Sequence, residues 1–172
     1  LSPADVIAIA RHGSRIELAE DSLAEVEKTR ELIDRLAVDV EPHYGISTGF
    51  GALATTFIAP DRRAQLQASL IRSHAAGTGA EVEPEVVRAL MALRLSTLAT
   101  GRTGVRVEVV STYAAMLNAG ITPIVREYGS LGRPGAPAPL SHVALAAPGE
   151  GPVRTAEGAE VDASAALAAA GI

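Results

Sequence analysis

The sequence predicts a mainly α-helical fold with a few short strands and loops rich in glycine and proline. Its 172 residues fit one domain spanning 1–172, and 48% of them are hydrophobic, which is enough to fill a core. Only 3% are aromatic and none is Trp, so burial depends on Ala, Val, Leu and Ile. Small aliphatic residues that recur at helical spacing favour packed helices over an aromatic-rich sandwich.

The N-terminal segment is predicted to form two helices separated by a short strand. Ser2, followed by proline, is a suitable N-cap, and Gly13 is a suitable C-cap for the first helix. Polar and apolar residues alternate over 15–18, which indicates a strand. Asp21 or Ser22 can then cap a second helix, whose apolar residues keep helical spacing against charged neighbours.

The central segment is predicted to form a loop and three helices. Charges are nearly absent over 42–56 and glycines interrupt it, so this backbone needs conformational freedom or close approach to another group. A third helix begins at Pro60 and ends at the Gly-Thr-Gly of 77–79. Helices over 84–101 and 105–120 each end at a glycine, and we expect them to pack as a hairpin.

The C-terminal segment is predicted to be less regular. Prolines and glycines over 123–139 argue against regular structure. After them we expect a short helix over 140–147 and a small hairpin over 153–161. Asp162 can cap a final Ala-rich helix.

Composition excludes several classes of function. The net charge is −5 and the basic residues are interspersed with acidic ones, so nucleic acid is not an expected partner. Without cysteine there is no disulfide, thiolate metal site or cysteine nucleophile, and the four histidines lack metal-ligand spacing. The start of the chain lacks the pattern of a signal peptide and no apolar run is long enough to span a membrane. We therefore expect a cytoplasmic protein without a metal.

The loop that runs from Tyr44 to Gly51 reads YGISTGFG. It resembles the loop with which histidine and aromatic amino-acid ammonia-lyases place a catalytic tyrosine over the bound amino acid. The resemblance implies acid–base chemistry for Tyr44 and a substrate contact for Gly51. The family usually has Asn at the position of Ser47, so an amide is lost here. On the residues alone, a glycine-rich surface turn whose tyrosine only packs is the alternative.

A second segment, LQASLIRSHAAGTG at 66–79, is similar to the family's next motif. In that motif the pair before Ala-Gly reads the substrate side chain, and Ser73-His74 is the form associated with histidine-selective members. An imidazole at His74 can exchange a hydrogen bond with a substrate imidazole. Taken alone, a histidine near a helix C-terminus is more often a group that satisfies the helix dipole.

Further matches follow in order over 101–151: GRTGVRVEVV, LNAGITPIV, YGSLG, APLSHVAL and GEG. Together they identify the chain as similar to the N-terminal part of a histidine ammonia-lyase. The resemblance implies a helical lyase domain, L-histidine as substrate, urocanate and ammonia as products, and a homotetramer. It also implies that a long C-terminal helical region, which completes the family's pocket and tetramer, is absent from this chain.

The family's electrophile, a methylidene-imidazolone, forms from an Ala-Ser-Gly tripeptide followed by Asp. At the corresponding place this chain has Arg133, Pro134 and Gly135, followed by Ala136. Proline has no β-hydroxyl to lose as water, so this cofactor cannot form from these residues.

Three hypotheses follow from these observations. The first is a carbon–nitrogen lyase that deaminates histidine. The second, favoured for the residues in hand, is a lyase-derived chain without catalysis, either a pseudoenzyme that binds a ligand or partner or an incomplete piece of the enzyme. The third is a helical interaction module whose exposed apolar surface causes self-association.

Overall fold

The structure, a computed structural model, describes residues 1–131 and 137–172 and confirms the mainly helical prediction. Its described helices are α1 (Pro3–His12), α2 (Glu20–Ala37), α3 (Arg63–His74), α4 (Pro84–Leu98), α5 (Val107–Asn118), α6 (Pro137–Ala146) and α7 (Ala163–Ala170). Its described strands are β1 (Thr78–Glu81), β2 (Thr122–Pro123), β3 (Arg126–Tyr128), β4 (Pro152–Arg154) and β5 (Glu160–Asp162). Two antiparallel sheets result, one ordered β1-β3 and the other β2-β4-β5.

The predicted hairpin of α4 and α5 forms the centre of the core. Met91 of α4 and Val110 and Met116 of α5 are fully buried. Helix α1 packs along α4, and α2 packs against α5. The aliphatic composition explains this arrangement, since small side chains let helices approach closely and bury a continuous apolar surface.

Arg88 of α4 ties the ends of two other helices to this centre. Its guanidinium donates to the carbonyl oxygens of Ile9 (2.9 Å), Ala10 (3.2 Å) and Leu117 (3.1 Å). These carbonyls lie at helix C-termini, where intrahelical partners run out. One half-buried cation therefore satisfies acceptors from both α1 and α5.

The predicted caps of α1 are confirmed, but two predictions in the following segment are wrong. Residues 15–18 do not form a strand, because their partner is a side chain: the Asn118 amide accepts from the Ile16 N–H (2.8 Å) and donates to its carbonyl (2.9 Å). Helix α2 follows Ala19 as N-cap, without a side-chain cap from Asp21 or Ser22.

The prediction that 123–139 lacks regular structure is wrong in part. Strand β3 lies within it and pairs with β1, which was expected to be only the end of the third helix. Pairing between segments so far apart in sequence leaves no local signal. Helix α6 also includes Pro137, because a first-turn proline costs no intrahelical hydrogen bond.

The C-terminal predictions are largely confirmed. Strands β4 and β5 form the expected hairpin, and α7 follows Asp162, although the Asp162 side chain makes no capping bond. In the part of the chain that the structure describes, no helix is long and apolar enough to cross a membrane. Within the same residues, no cluster of three or more acidic or histidine side chains is arranged to hold a metal.

Candidate active site

The tyrosine-bearing loop is a compact turn built around His43. The His43 carbonyl accepts N–H bonds from Ile46, Ser47 and Thr48 at 3.0 to 3.3 Å. The Ser47 hydroxyl, which is fully buried, accepts from the His43 N–H at 2.9 Å. Ser47 therefore closes the turn from inside, which a small hydroxyl achieves without further space.

Two glycines of this loop are required by close approach. At Gly45, where φ is +71°, a Cβ atom would lie 2.8 Å from the Phe50 ring. At Gly49 it would lie 2.6 Å from the Leu53 Cβ. The glycine spacing read from the sequence thus reflects the packing of the loop against itself.

Tyr44 lies on the outer side of the loop with 64% of its surface exposed. Its hydroxyl oxygen accepts a long hydrogen bond, 3.4 Å, from the Gly51 N–H. Its ring stands edge-on to Phe50, with centroids 5.8 Å apart and planes at 81°. The structure thus brings together two predicted site residues, Tyr44 and Gly51, and leaves the tyrosine accessible to a ligand.

A hydrogen-bonded pair, Asp39 and His43, precedes the tyrosine. The His43 Nε2 lies 2.9 Å from the Asp39 carboxylate. This hydrogen bond, together with one from the Glu41 N–H, lowers the pKa of Asp39 below its usual range. The pair braces the start of the loop from the chain just after α2.

Arg63 and Gln67, which sequence reasoning did not identify, hold the loop against α3. Arg63 donates to the carbonyls of Ala37 and Ile58 (3.0 Å to the latter), and its guanidinium lies 5.4 Å from the centroid of the Phe57 ring. Gln67 donates to the Gly45 carbonyl at 3.5 Å. No sequence pattern marks either residue, since each acts on a backbone atom distant along the chain.

Ser73 and His74 form the last turn of α3 and are exposed. The carbonyl of Leu70 lies 2.8 Å from both the Ser73 hydroxyl and the His74 Nδ1, and these two atoms are 2.9 Å apart. A carbonyl oxygen is only an acceptor, so in the neutral ring Nδ1 carries the proton. Nε2 is then a hydrogen-bond acceptor, and none of the described residues bonds to it.

The turn after α3 meets α6 at a second histidine, which sequence reasoning did not single out. The Gly77 N–H donates to the Nε2 of His142 at 3.0 Å. Burial, and then the positive charge of Arg126, lower the pKa of His142. Its only signal in the sequence was a position within the APLSHVAL match.

Helix α3 therefore contacts the tyrosine loop and also carries the Ser73-His74 pair. Gln67, which holds the loop, precedes His74 by seven residues, or about 10 Å along a helix. Within residues 1–131 and 137–172, no hydrogen bond or ring contact joins Tyr44 directly to His74. The predicted electrophile positions Arg133, Pro134 and Gly135 lie outside the described residues.

Comparison with known proteins decides the family. The sequence profile of the family described as aromatic amino acid lyase matches residues 1–172. The chain belongs to the aromatic amino acid lyase family. The predicted resemblance to histidine ammonia-lyases is confirmed as well, because curated proteins of that name are close in sequence.

The histidine ammonia-lyase of Streptomyces coelicolor is 55% identical over 172 residues, which are 100% of this chain and 34% of that protein. The histidine ammonia-lyase of Treponema denticola is 44% identical over 168 residues, 98% of this chain and 33% of its own length. This family member thus spans about one third of the curated relatives it matches.

Solved structures of the family share this fold. Histidine ammonia-lyase from Trypanosoma cruzi superimposes with a TM-score of 0.89 at 36% identity, covering 100% of this chain and 33% of its own. Ergothionase from Treponema denticola gives a TM-score of 0.95 at 31% identity, again over 100% of this chain and 34% of its own. Tyrosine aminomutase from Streptomyces globisporus gives 0.91 at 37% identity, over 100% of this chain and 32% of its own.

Proposed function

We propose that this chain belongs to a protein of the histidine ammonia-lyase type, whose reaction is the non-oxidative deamination of L-histidine to urocanate and ammonia. The curated relatives named above carry that activity in their names. The proposed roles are acid–base chemistry for Tyr44, substrate contact for Gly51, and recognition of the imidazole by Ser73 and His74.

The observation that carries the proposal is the geometry of His74. Its Nδ1 is bonded to the Leu70 carbonyl, so the neutral ring presents an acceptor at Nε2. The imidazole of histidine carries an N–H that fits this acceptor, whereas phenylalanine offers no such donor. A polar group that loses its partner in a pocket discriminates strongly between such substrates.

The family's electrophile does not fit this sequence. A methylidene-imidazolone requires a serine β-hydroxyl, and Pro134 stands at that position between Arg133 and Gly135. The chemistry of the residues themselves therefore argues against the cofactor. We propose that this chain does not catalyse the family reaction and retains only the substrate-reading half of the site.

Catalysis is tested by incubating the purified chain with L-histidine and recording the ultraviolet absorbance of urocanate. We expect no product and no reaction with borohydride or cyanide, which attack the electrophile. A matched variant, Arg133→Ala with Pro134→Ser and Ala136→Asp, restores the tripeptide and the Asp that follows it. Mass spectrometry then reports whether that variant loses two waters, and turnover by the unsubstituted chain would contradict the proposal.

Recognition is tested separately by calorimetric titration with L-histidine and L-phenylalanine. We expect L-histidine to bind more tightly, and His74→Ala to remove that preference. His12→Ala, which changes an exposed histidine at the end of α1, is the matched control. Equal affinity for the two amino acids in the unsubstituted chain would contradict the assignment of His74.

A second candidate function, an interaction module, is favoured by the surface around the tyrosine loop. Helix α3 has no buried residue. Val38, Val40, Leu53 and Phe57 are between 49% and 94% exposed. Apolar area of this kind indicates a surface that another chain or segment covers. We propose that the chain self-associates, up to the homotetramer of its family, and that the protein is cytoplasmic. Sedimentation velocity at increasing protein concentration tests the self-association. A sedimentation coefficient that stays at the monomer value would contradict it.

A further inference from the structure

Gly77 is approached by other groups on three sides. A Cβ atom at this position would lie 3.0 Å from the His142 Nε2, 3.2 Å from the Arg126 Cβ and 3.2 Å from the Tyr128 carbonyl. The φ angle of Gly77 is not positive, so the glycine is not needed for an unusual backbone conformation. A side chain here would require the imidazole or another neighbour to move by a few tenths of an ångström.

The hydrogen bond from the Gly77 N–H fixes the state of the His142 ring. Nε2 accepts this bond at 3.0 Å, so it carries no proton, and the neutral ring holds its proton on Nδ1. A protonated ring would present N–H to N–H and lose the bond. The half-buried position of His142 favours the neutral form as well.

We propose that His142 is a positioning residue, which holds the turn 75–77 against α6 and through it sets the place of the Ser73-His74 pair. The bond lies three residues beyond His74, where the last helical bond, from Ala75 to Ile71, has already been made. The importance of this role for substrate rests on the function proposed above, although the hydrogen bond itself does not.

Helix α3 packs on α6, and the pairing of Thr78 with Tyr128 follows the turn. The helix has half-buried apolar residues such as Leu66 and Leu70 but none that is fully buried, so a directed bond at its end adds to a partial apolar contact. Arg72 makes a two-pronged ion pair with Glu150 at 2.7 and 2.8 Å, but both side chains are exposed to solvent and salt. Strand β1 begins at Thr78, immediately after the turn. Within residues 1–131 and 137–172, the bond to His142 is the hydrogen bond that joins the turn 75–77 to α6.

The charged and titratable groups near His142 come from neighbouring elements, since α6 carries no other. Helix α3 and strand β2 pack on α6, and β3 contributes Arg126 beside the ring. The groups on these elements and their partners are Arg63, Arg72, His74, Arg126, Glu127, Tyr128, Glu81 and Glu150. Of these, Arg126 acts on His142 in the direction that disfavours a second positive charge.

The test is nuclear magnetic resonance on the 172-residue chain labelled with ¹⁵N. An N–H···N hydrogen bond transmits a scalar coupling between its two nitrogens, so a coupling between Gly77 N and His142 Nε2 is expected near pH 8. It should persist at pH 6.5, because the pKa of His142 is lowered, and disappear at lower pH as the ring protonates. Absence of the coupling at every pH would overturn the proposal.

Two variants of His142 form a matched pair. In His142→Gln the amide oxygen reaches the position of Nε2, whereas in His142→Asn it falls one bond short. We expect amide exchange at Gly77 to become about fivefold to tenfold faster in His142→Asn, together with shifts in the His74 resonances, and to be restored in His142→Gln. Equal behaviour of both variants and the parent would overturn the proposal.

Gly77→Ala tests the same contact from the other side, because its Cβ would lie 3.0 Å from the His142 Nε2 and press the ring away by a few tenths of an ångström. We expect the His74 resonances to shift as in His142→Asn, while His12→Gln leaves them unchanged. Unchanged His74 resonances in Gly77→Ala would count against the role through His74.

Binding of L-histidine separates this inference from the function on which it rests. We expect His142→Asn to weaken binding about fivefold and His142→Gln to stay within about twofold. If the parent chain binds no L-histidine, the proposed function fails for this chain while the coupling and exchange data still decide the role of His142. If the parent binds and both variants bind equally well, the positioning role is wrong.

Discussion

The α4–α5 hairpin and the α3 region differ in how they are held. Helices α4 and α5 each bury five residues, whereas α3 buries none. The loop before α3 is held by bonds to backbone atoms from Ser47, Arg63 and Gln67. The hairpin is stabilised mainly by apolar packing, and the candidate site mainly by directed polar contacts.

This difference indicates how the molecule divides its tasks. Apolar packing tolerates exchange among side chains of similar volume, so the hairpin provides stability. Directed bonds to backbone atoms depend on one donor at one place and tolerate few substitutions. They therefore define the positions of Tyr44 and His74. Substitutions in the hairpin should therefore change the free energy of unfolding, and those around α3 should change local geometry.

The largest effect is expected for Met91→Ala. Met91 is fully buried, and its truncation leaves a cavity in the hairpin, at a cost of about 2–5 kcal/mol in the free energy of unfolding. Leu66→Ala on α3 removes a side chain that is only half-buried, and its effect should be much smaller. Urea denaturation followed by circular dichroism measures both, and equal effects would contradict the comparison.

The next effect is expected for Arg88→Met, which keeps volume but removes the donors for three carbonyls. The Leu117 carbonyl keeps the Gly120 N–H, but leaving the Ile9 and Ala10 carbonyls without this donor should cost about 2–3 kcal/mol in the free energy of unfolding. Arg11→Met breaks an exposed ion pair with Glu85 and serves as the control, with a clearly smaller change expected. A result in which Arg11→Met destabilises as much would refute the capping role of Arg88.

A smaller effect is expected for Ser47→Ala in the tyrosine loop. The substitution leaves the His43 N–H without its acceptor and should cost about 1 kcal/mol in the free energy of unfolding. Ser69→Ala, at an exposed position of α3, should change little. Amide exchange at His43 measures the local part of the effect, and unchanged exchange in Ser47→Ala would show that this bond does not hold the loop.

The smallest effect at neutral pH is expected from ionisation of Tyr113, the buried tyrosine of α5, which should leave the free energy of unfolding unchanged there. Burial raises its pKa to about 12, above the value near 10 of an unfolded chain. Its contribution to stability is therefore fully present below pH 10 and is lost as the pH rises from about 10 through about 12. Absorbance at 295 nm in the parent and in Tyr113→Phe follows this group, and a difference between them that titrates near pH 10 would contradict its burial.

Much of the fold could be predicted because local signals decide it. Ser2 and Gly13 cap α1 as expected, and glycine spacing identified the compact loop around Tyr44. The order of motifs gave the family and the Ser73-His74 pair. These features depend on residues within one helix or one loop, where sequence spacing translates directly into structure.

The remainder depends on contacts between distant segments. Arg63, Gln67 and His142 each bond to a backbone atom, and any residue type supplies such an atom. Strand β3 was missed because its partner β1 lies far away in the sequence. The roles assigned to Tyr44, Gly51, Ser73 and His74 stay predictions.

The two hydrogen bonds between Ile16 and the Asn118 amide affect when the N-terminal segment can dock during synthesis. These bonds join residues 102 positions apart. At translation rates of about 5–20 residues per second, the segment after α1 is made about 5–20 seconds before its partner. For most of that interval α4, including Arg88, has not yet been made, so α1 lacks its packing partner. Ile16 is therefore synthesised well before the side chain that holds it in place.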